Sequence, residues 1–274
     1  MKELVQYLSE LDPVLAAFYA TTFTWFLTMM GASLVFFFKQ MNRALLDGLL
    51  GFTGGVMVAA SCFGLLLPAI DQAAEMGMKD GWEVMPATVG FALGALFLFV
   101  LNKLLPHLHI NFREDEKEGP KTSWHSTTLL VLAITLHNIP EGLAVGVLFG
   151  AAGGDIEMIS SAVIITIGIG IQNFPEGIAV AMPLRRQGVS RGKSFWYGQL
   201  SAIVEPIAGV AGAWAVASFV PILPYALGFA AGAMIFVVVE EVIPETQRDK
   251  YRDIGVLGFI GGFLLMMVLD VVLG

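Results

Sequence analysis

Charged side chains are scarce in this chain, and their scarcity indicates its class. Only 14% of the 274 residues are charged, 56% are hydrophobic, and the mean hydropathy is +0.76. A soluble domain normally carries about 25% charged residues. The main solvent of the chain is therefore lipid. Its 31 glycines agree with this class, because glycine is more frequent in membrane helices than in soluble ones.

Other absences narrow the class of function. A single cysteine, Cys62, excludes an intrachain disulfide and a cysteine-based zinc cage. No Walker motif is present, which argues against ATP hydrolysis, and no basic stripe suggests nucleic acid. The segment 1–12 is acidic and lacks the basic start of a signal peptide.

Eight apolar segments are long enough to cross a bilayer, which takes roughly 20 mostly apolar residues. We therefore predict an all-α integral membrane protein, with one transmembrane domain over 1–274 and one long loop at 106–123. The predicted spans are 13–38, 47–70, 85–105, 124–150, 158–184, 194–219, 221–244 and 254–273.

The distribution of lysine and arginine supports this count and predicts the orientation. Basic residues accumulate on the cytoplasmic side of a membrane. With eight spans, all but two of the 15 basic residues fall on one side, and only Lys2 and Lys79 fall on the other. An error of one span would destroy this asymmetry. We therefore expect both termini outside the cytoplasm and loop 106–123 inside it.

An internal repeat is the most informative feature of the sequence. Residues 137–145 read HNIPEGLAV in the fourth span, and residues 172–180 read QNFPEGIAV in the fifth. Residues three and four apart share one face of a helix, so each motif gathers its polar groups on one side. These groups are His137, Asn138 and Glu141 in the first copy and Gln172, Asn173 and Glu176 in the second.

Each copy also contains a proline, Pro140 or Pro175. Proline lacks a backbone N–H and clashes with the carbonyl four residues earlier, which kinks or breaks a helix. We therefore expect both helices to be broken here, with the carbonyls of Leu136 and Ile171 freed. Broken helices occur in lipid where they line a cavity, and transporters use them at substrate sites.

Depth adds an argument about charge. His137, Gln172 and Glu205 lie near the middles of the fourth, fifth and sixth predicted spans. An ionised side chain at the bilayer centre costs roughly 2.5–3.5 kcal/mol on the mildest scale. No lysine or arginine lies at this depth to neutralise the glutamates, so a divalent metal or protons must do so. One imidazole with carboxylates and amides suits zinc and neighbouring first-row ions better than copper(I).

The polar groups divide into two candidate ligand sets. The first set provides the four ligands that zinc usually takes, namely His137, Glu141, Gln172 and Glu176. The second set would hold a second ion, with Glu141 and Glu176 bridging, and consists of Asn138, Asn173 and Glu205. A lone histidine or amide is more often a hydrogen-bonded packing residue, so the joint pattern carries the prediction. Met57, mid-span in the second helix, is either a packing residue or an additional thioether ligand.

Further groups are candidates for an entrance and an exit. Asp71 and Asp270, near the outer ends of two spans, either attract cations or are solvated interfacial residues. Glu240 and Glu241, with Glu245, either pass metal to the cytoplasm or pair with the basic residues that follow them. In the long loop, His107 and His109 either capture metal weakly or belong to a solvated linker.

Three functions remain open at this point. The first is a metal transporter, working by alternating access or as a selective channel. The second is a proton-coupled exporter, in which the carboxylates carry protons. The third is an intramembrane metalloprotease, which would want a His-Glu-x-x-His motif. The chain offers His137-x-x-x-Glu141 without a second histidine nearby, so we expect no enzyme.

The motifs resemble those of a known family. HNIPEG in the fourth span, QNFPEG in the fifth and Glu205-Pro206 in the sixth are similar to the ZIP family of zinc/iron-regulated transporters, nearest its GufA-like branch. The resemblance covers nearly the whole chain, including FWYGQLSAIVEPIAG and the ending LMMVLDVVLG. It implies an eight-helix protein of the plasma or inner membrane with both termini outside, often a homodimer.

The resemblance also implies a cargo and a site. The cargo would be zinc, or cadmium, iron(II) or manganese(II), taken up as substrate with no resident cofactor. One metal site would be the first ligand set with Met57 beside it, and the other would be the second set with the two motif glutamates shared. Some relatives carry Asp where this chain has Asn173, and the amide lowers the negative charge of the second site.

Overall fold

The computed structural model describes residues 2–39, 41–106, 119–120, 122, 126–248 and 250–273. All regular structure among these residues is helical. The helices are α1 (Lys2–Ser9), α2 (Pro13–Ser33), α3 (Arg43–Ala59), α4 (Leu67–Glu75), α5 (Val84–Leu104), α6 (Ser126–Ala152), α7 (Ile156–Arg186), α8 (Arg191–Leu200), α9 (Val204–Ser218), α10 (Leu223–Val237), α11 (Ile243–Gln247) and α12 (Arg252–Leu273). The predicted loop at 106–123, with His107 and His109, lies almost entirely outside the described residues.

Eight stretches of helix among the described residues are long and apolar enough to cross a membrane, which confirms the predicted fold class. We call them spans 1 to 8: Pro13–Phe36, Arg43–Glu75, Val84–Leu104, Thr128–Ala152, Ile156–Arg186, Arg191–Ser218, Val220–Gln247 and Arg252–Val272. Span 2 differs most from its predicted range of 47–70. It begins earlier because the side chain of Asn42 caps it, accepting from the backbone N–H of Ala44 at 2.9 Å.

The two ends of the bundle differ in charge. Because consecutive spans run in opposite directions, residues that begin one span and end the next lie at the same end. The basic end holds Arg43, Lys103, Arg185, Arg191 and Arg248. The acidic end holds Asp71, Glu75, Asp155, Glu157 and Asp270.

Four pairs of spans approach each other backbone to backbone, and glycine permits each approach. A Cβ atom on Gly51 would overlap a backbone oxygen of span 8, and one on Gly94 would overlap span 7. A Cβ on Gly146 would overlap span 6, and one on Gly177 would overlap span 1. The GxxxG spacings of the sequence therefore serve close helix packing, as small residues do in membranes.

Further glycine contacts join these pairs into two groups of four spans, since Gly209 of span 6 meets Thr21 of span 1 and Gly255 of span 8 meets Thr246 of span 7. Spans 1, 4, 5 and 6 form the motif group, which carries the repeat, and spans 2, 3, 7 and 8 form the second group. Within the described part of the chain, every inter-span approach of a glycine to a backbone oxygen lies inside one group. Between the groups, Gly64 and Gly168 meet the side chains of Ile165 and Met266 instead.

The pairing has an internal two-fold relation. Exchanging span 1 with 6, 2 with 7, 3 with 8 and 4 with 5 maps each close pair onto another close pair. Spans 2 and 7 also share a local feature, since each contains a π-helical turn, Ala60–Leu66 or Val238–Val242. A proline follows each turn, Pro68 or Pro244. The wider π-helical turn makes room for the proline ring and for the carbonyl whose hydrogen bond the proline removes.

The expected breaks at the motif prolines are wrong. Helix α6 runs through Pro140 and helix α7 runs through Pro175 without interruption. A proline need not end a membrane helix, because neighbouring helices can compensate for the backbone hydrogen bond that is lost. Span 4 is held by span 6 and span 5 by span 1, through the glycine contacts described above.

The break lies in span 6 instead. Residues 201–203 form a turn between helices α8 and α9, just before Pro206. Side chains of the motif group donate hydrogen bonds to the backbone carbonyls there. The Asn138 side-chain amide donates to the Ser201 carbonyl at 3.1 Å, and the Trp25 indole donates to the Gln199 carbonyl at 3.0 Å. A non-helical backbone at this depth is thus satisfied by protein groups.

Candidate metal site

Spans 4, 5 and 6 bring the polar groups of both motifs into one layer in the middle of the bundle. The buried side chains of this layer are Asn138, Glu141, Gln172, Asn173, Glu176 and Glu205. Glu141 interacts electrostatically with both Glu176 and Glu205, so the three carboxylates form one cluster. The structure therefore assembles the residues that the repeat singled out, and Gly142 of span 4 lies directly against the backbone of Glu205 in span 6.

Most of the first ligand set faces a small cavity, which we call the central cavity. Its wall includes Met57, His137, Glu141, Glu176, Glu241 and Glu245. Its volume is about 30 Å³, enough for one occupant the size of a water molecule. Gln172 does not line it. The Gln172 amide stands behind Glu141 and donates to its Oε1 at 2.6 Å.

Span 7 contributes to the central cavity a carboxylate that the sequence analysis placed among the exit candidates. Nε2 of His137 contacts Oε1 of Glu241, so Glu241 lies at the ligand set and not only on an exit route. Its neighbour Glu240 is not on the cavity wall and accepts from the Asn102 side-chain amide of span 3 at 2.6 Å. The π-helical turn of span 7 sets which of the two glutamates faces the cavity.

The second ligand set is arranged around hydrogen bonds. Nδ2 of Asn173 lies 2.9 and 3.0 Å from the two carboxylate oxygens of Glu205. The Thr24 hydroxyl of span 1 contacts the same carboxylate. The side-chain amide of Asn138 donates instead to the Ser201 carbonyl, in the broken part of span 6. Protein donors therefore already surround Glu205, which is fully buried.

Five buried oxygens of the two sets have no hydrogen-bond partner. They are Oδ1 of Asn138, Oε2 of Glu141, Oε1 of Gln172, Oδ1 of Asn173 and Oε1 of Glu176. An unpaired buried acceptor costs about 1–3 kcal/mol, so native structures contain few of them. Carboxylate and amide oxygens with an imidazole are a donor set that suits a divalent cation.

The ligand sets are not arranged to hold an ion as they stand. Among the described residues, no three His, Cys, Asp or Glu side chains are placed to hold a metal together. The side chains pair with one another instead, His137 with Glu241 and Gln172 with Glu141. A cation would have to open or share these pairs, which suits a substrate that passes through more than a permanent structural ion.

A second cavity lies at the acidic end. It has a volume of about 480 Å³ and both predicted entrance residues, Asp71 and Asp270, line it. Three further carboxylates share its wall, those of Glu75, Asp155 and Glu157. Asp155 and Glu157 were not singled out from the sequence, because they sit in a short loop and the first turn of a helix, where acids usually cap the helix.

The central cavity ends toward the basic end at Glu245. Oε1 of Glu245 lies 2.7 Å from Nη2 of Arg43 in span 2. Nε of Arg43 lies 2.8 Å from Oδ1 of Asp47. The sequence carried a signal for part of this cluster, because Arg43 and Asp47 are four residues apart and lie on one helix face.

Thr24 was also missed. Hydroxyl side chains in membrane helices commonly bond to their own helix, as that of Thr21 does to the Ala17 carbonyl at 2.7 Å. Nothing in the local sequence distinguishes Thr24 from such residues. Its contact with Glu205 depends on the packing of span 1 against span 6.

Comparisons with known proteins agree on one family. The sequence model described as ZIP Zinc transporter matches residues 109–270. The chain is similar to the zinc transporter ZIP11 of Bos taurus, with 43% identity over 96% of this chain and 98% of that protein. The zinc transporter ZIP11 of Homo sapiens is 41% identical over 95% and 98%. The zinc transporter GufA of Myxococcus xanthus is 35% identical over 90% and 94%.

Proposed function

The chain belongs to the ZIP family of zinc transporters, and we propose that it imports zinc through the central cavity. It is a multi-pass membrane protein and a divalent-metal transporter rather than an enzyme. Two unpartnered buried oxygens on the wall of this ion-sized cavity carry the proposal, Oε2 of Glu141 and Oε1 of Glu176. A divalent cation there would satisfy these acceptors and neutralise the carboxylate cluster.

We propose that the first ligand set binds the transported ion. His137, Glu141 and Glu176 face the cavity, and Gln172 brings an unpartnered amide oxygen from behind Glu141. Met57 also lines the cavity, so its thioether is a further candidate ligand. The four ligands of the first set, without Met57, match the coordination number that zinc usually takes.

We propose that the second set does not bind a second ion. Asn173 and Thr24 donate to Glu205, so this carboxylate has protein partners in place of a metal. The amide of Asn173 brings no negative charge to attract one. Its hydrogen bonds, with that of Asn138 to span 6, connect spans 1, 4, 5 and 6. The second set thus holds the motif group together.

We propose that transport runs from the acidic end to the basic end, with the basic end in the cytoplasm of a cell whose plasma or inner membrane holds the protein. The excess of lysine and arginine at that end supports this orientation. The carboxylate-lined cavity at the acidic end supports cation entry there, because a wall of one charge sign raises the local concentration of counter-ions. Both termini would be outside, and assembly as a homodimer stays a prediction.

The test is zinc uptake by the purified protein in proteoliposomes. Glu141→Ala and Glu176→Ala should abolish uptake while the protein still elutes as a folded species from size-exclusion chromatography. Glu10→Ala, which removes an exposed glutamate outside the spans, is the matched control and should transport normally. Uptake at the native rate in both cavity variants would refute the proposal. Running the assay with and without an opposing pH gradient separates import from proton-coupled export.

A further inference from the structure

One face of span 2 leads from the ligand set to the basic end. Met57, Leu50, Asp47 and Arg43 are separated by seven, three and four residues, the spacing of a single helical stripe. Met57 and Leu50 line the central cavity. At 1.5 Å per residue, Arg43 lies about 21 Å along the helix from Met57.

Span 7 presents a matching stripe across the cavity. Val237, Glu241 and Glu245 line the cavity at intervals of four residues, about one helical turn each. Glu241 contacts His137 of the ligand set, and Glu245 contacts Arg43. Carboxylates therefore follow the wall from the ligand set toward the basic end, and a guanidinium group stands at the last of them.

Arg43 occupies a position that its own helix disfavours. It is the first residue of helix α3, where the helix dipole repels a cation. Glu245 lies near the end of span 7, where the dipole repels an anion. Asp47 and Glu245 are almost completely buried, at 0% and 3% exposure. Buried carboxylates of this kind require a positive partner, which explains why the arginine is here.

We propose that Arg43 is the exchangeable counter-cation of the exit. Its guanidinium neutralises Glu245 between transport events, and a divalent ion that moves down from Glu241 takes its place while Asp47 keeps the guanidinium nearby. The return of Arg43 to Glu245 then drives the ion off. Without this competitor, two buried carboxylates at the mouth would hold the ion, and conduction requires binding weak enough for the ion to leave. The inference rests on the proposed function.

The test combines zinc counting and transport. Zinc bound per chain is measured by equilibrium dialysis of the purified full-length protein, and initial uptake is measured in proteoliposomes. Arg43→Met should bind one more zinc than the native chain, and its maximal uptake rate should fall about tenfold with little change in KM. The double variant Arg43→Met, Glu245→Gln should lose the additional zinc. Arg43→Lys, which keeps the charge, should bind no additional zinc.

The matched control is Arg191→Met. Arg191 is also the first residue of a helix at the basic end, but it is exposed and lines no described cavity, so both readouts should stay native. Native zinc binding and a native maximal rate in Arg43→Met would overturn the proposal. Should that variant fail to fold, Glu245→Gln is the second test. It removes the last carboxylate of the exit and should lower the maximal rate, so an unchanged maximal rate would also overturn the proposal. A native chain that neither binds nor moves zinc would instead refute the proposed function itself.

Discussion

Nε2 of His137 in span 4 contacts a carboxylate oxygen of Glu241 in span 7. The contact joins the motif group to the second group at the ligand set. An imidazole has two ring nitrogens. An ion that binds Nε2 must displace Glu241 or draw it into the coordination sphere, whereas an ion that binds Nδ1 leaves this contact in place to orient the imidazole. In either case a link between the two groups of spans lies directly at the proposed cargo site.

Glu241→Ala should weaken zinc binding by about tenfold, the lower end of the range found when a partner of a metal ligand is removed. The carboxylate orients the imidazole of His137 and adds negative charge to the cavity. Equilibrium dialysis of zinc against the purified protein measures the effect. Glu240→Ala is the control, because that side chain bonds to Asn102 and does not line the central cavity. Equal affinities in the two variants would contradict this prediction.

Asn173→Asp should convert the second set into a zinc site. The substitution replaces a donor to Glu205 with a second carboxylate, which removes a hydrogen bond to a charged group worth about 1.5–3 kcal/mol and adds like-charge repulsion. The melting temperature without zinc should fall, and zinc should restore it with one more ion bound per chain. A native melting temperature and a native zinc count would show that Asn173 does not act as proposed.

Thr24→Val should lower the free energy of unfolding by about 1–3 kcal/mol, because buried Glu205 loses a donor while the side-chain shape is kept. Thr21→Val is the matched control, since the Thr21 hydroxyl bonds only to carbonyls of its own helix, and its effect should be smaller. Thermal unfolding in detergent compares the two. Equal losses would indicate that the contact with Glu205 contributes nothing specific.

Gly146→Val should abolish transport and destabilise the protein, because any Cβ there overlaps the backbone of span 6 and forces spans 4 and 6 apart. Overpacking of this kind typically costs about 1–3 kcal/mol, and more where backbone must move. Gly261→Val serves as the control, since no atom lies within 4 Å of a Cβ at that position. Uptake and thermal unfolding should separate the two variants clearly.

Much of the architecture could be predicted because it follows from local pattern. Hydropathy over about 20 residues marks each span whatever its neighbours are, and the structure confirms the eight spans. The repeat identified the layer in which the polar groups meet, since helical spacing puts His137 with Glu141 and Gln172 with Glu176 before any packing is known. Their role as metal ligands remains a prediction.

The predictions from sequence failed where contacts with neighbouring helices determine the local structure. Proline chemistry is the same at Pro140, Pro175 and Pro206, yet only the last follows a break in its span, where side chains of neighbouring spans bond to the freed backbone carbonyls. Glu240 and Glu241 are adjacent in sequence, and the turn geometry of span 7 alone sends one toward Asn102 and the other toward His137.

The sequence by itself thus determined the membrane class, the number of spans and the depth of the carboxylate layer, because burial in lipid imposes these on each segment separately. Only the tertiary structure decided which partner each polar group has. Arg43 meets Glu245 and Asn173 meets Glu205 across different spans. A buried charge in lipid needs a partner, and where that partner lies on another helix, its identity depends on how the helices pack.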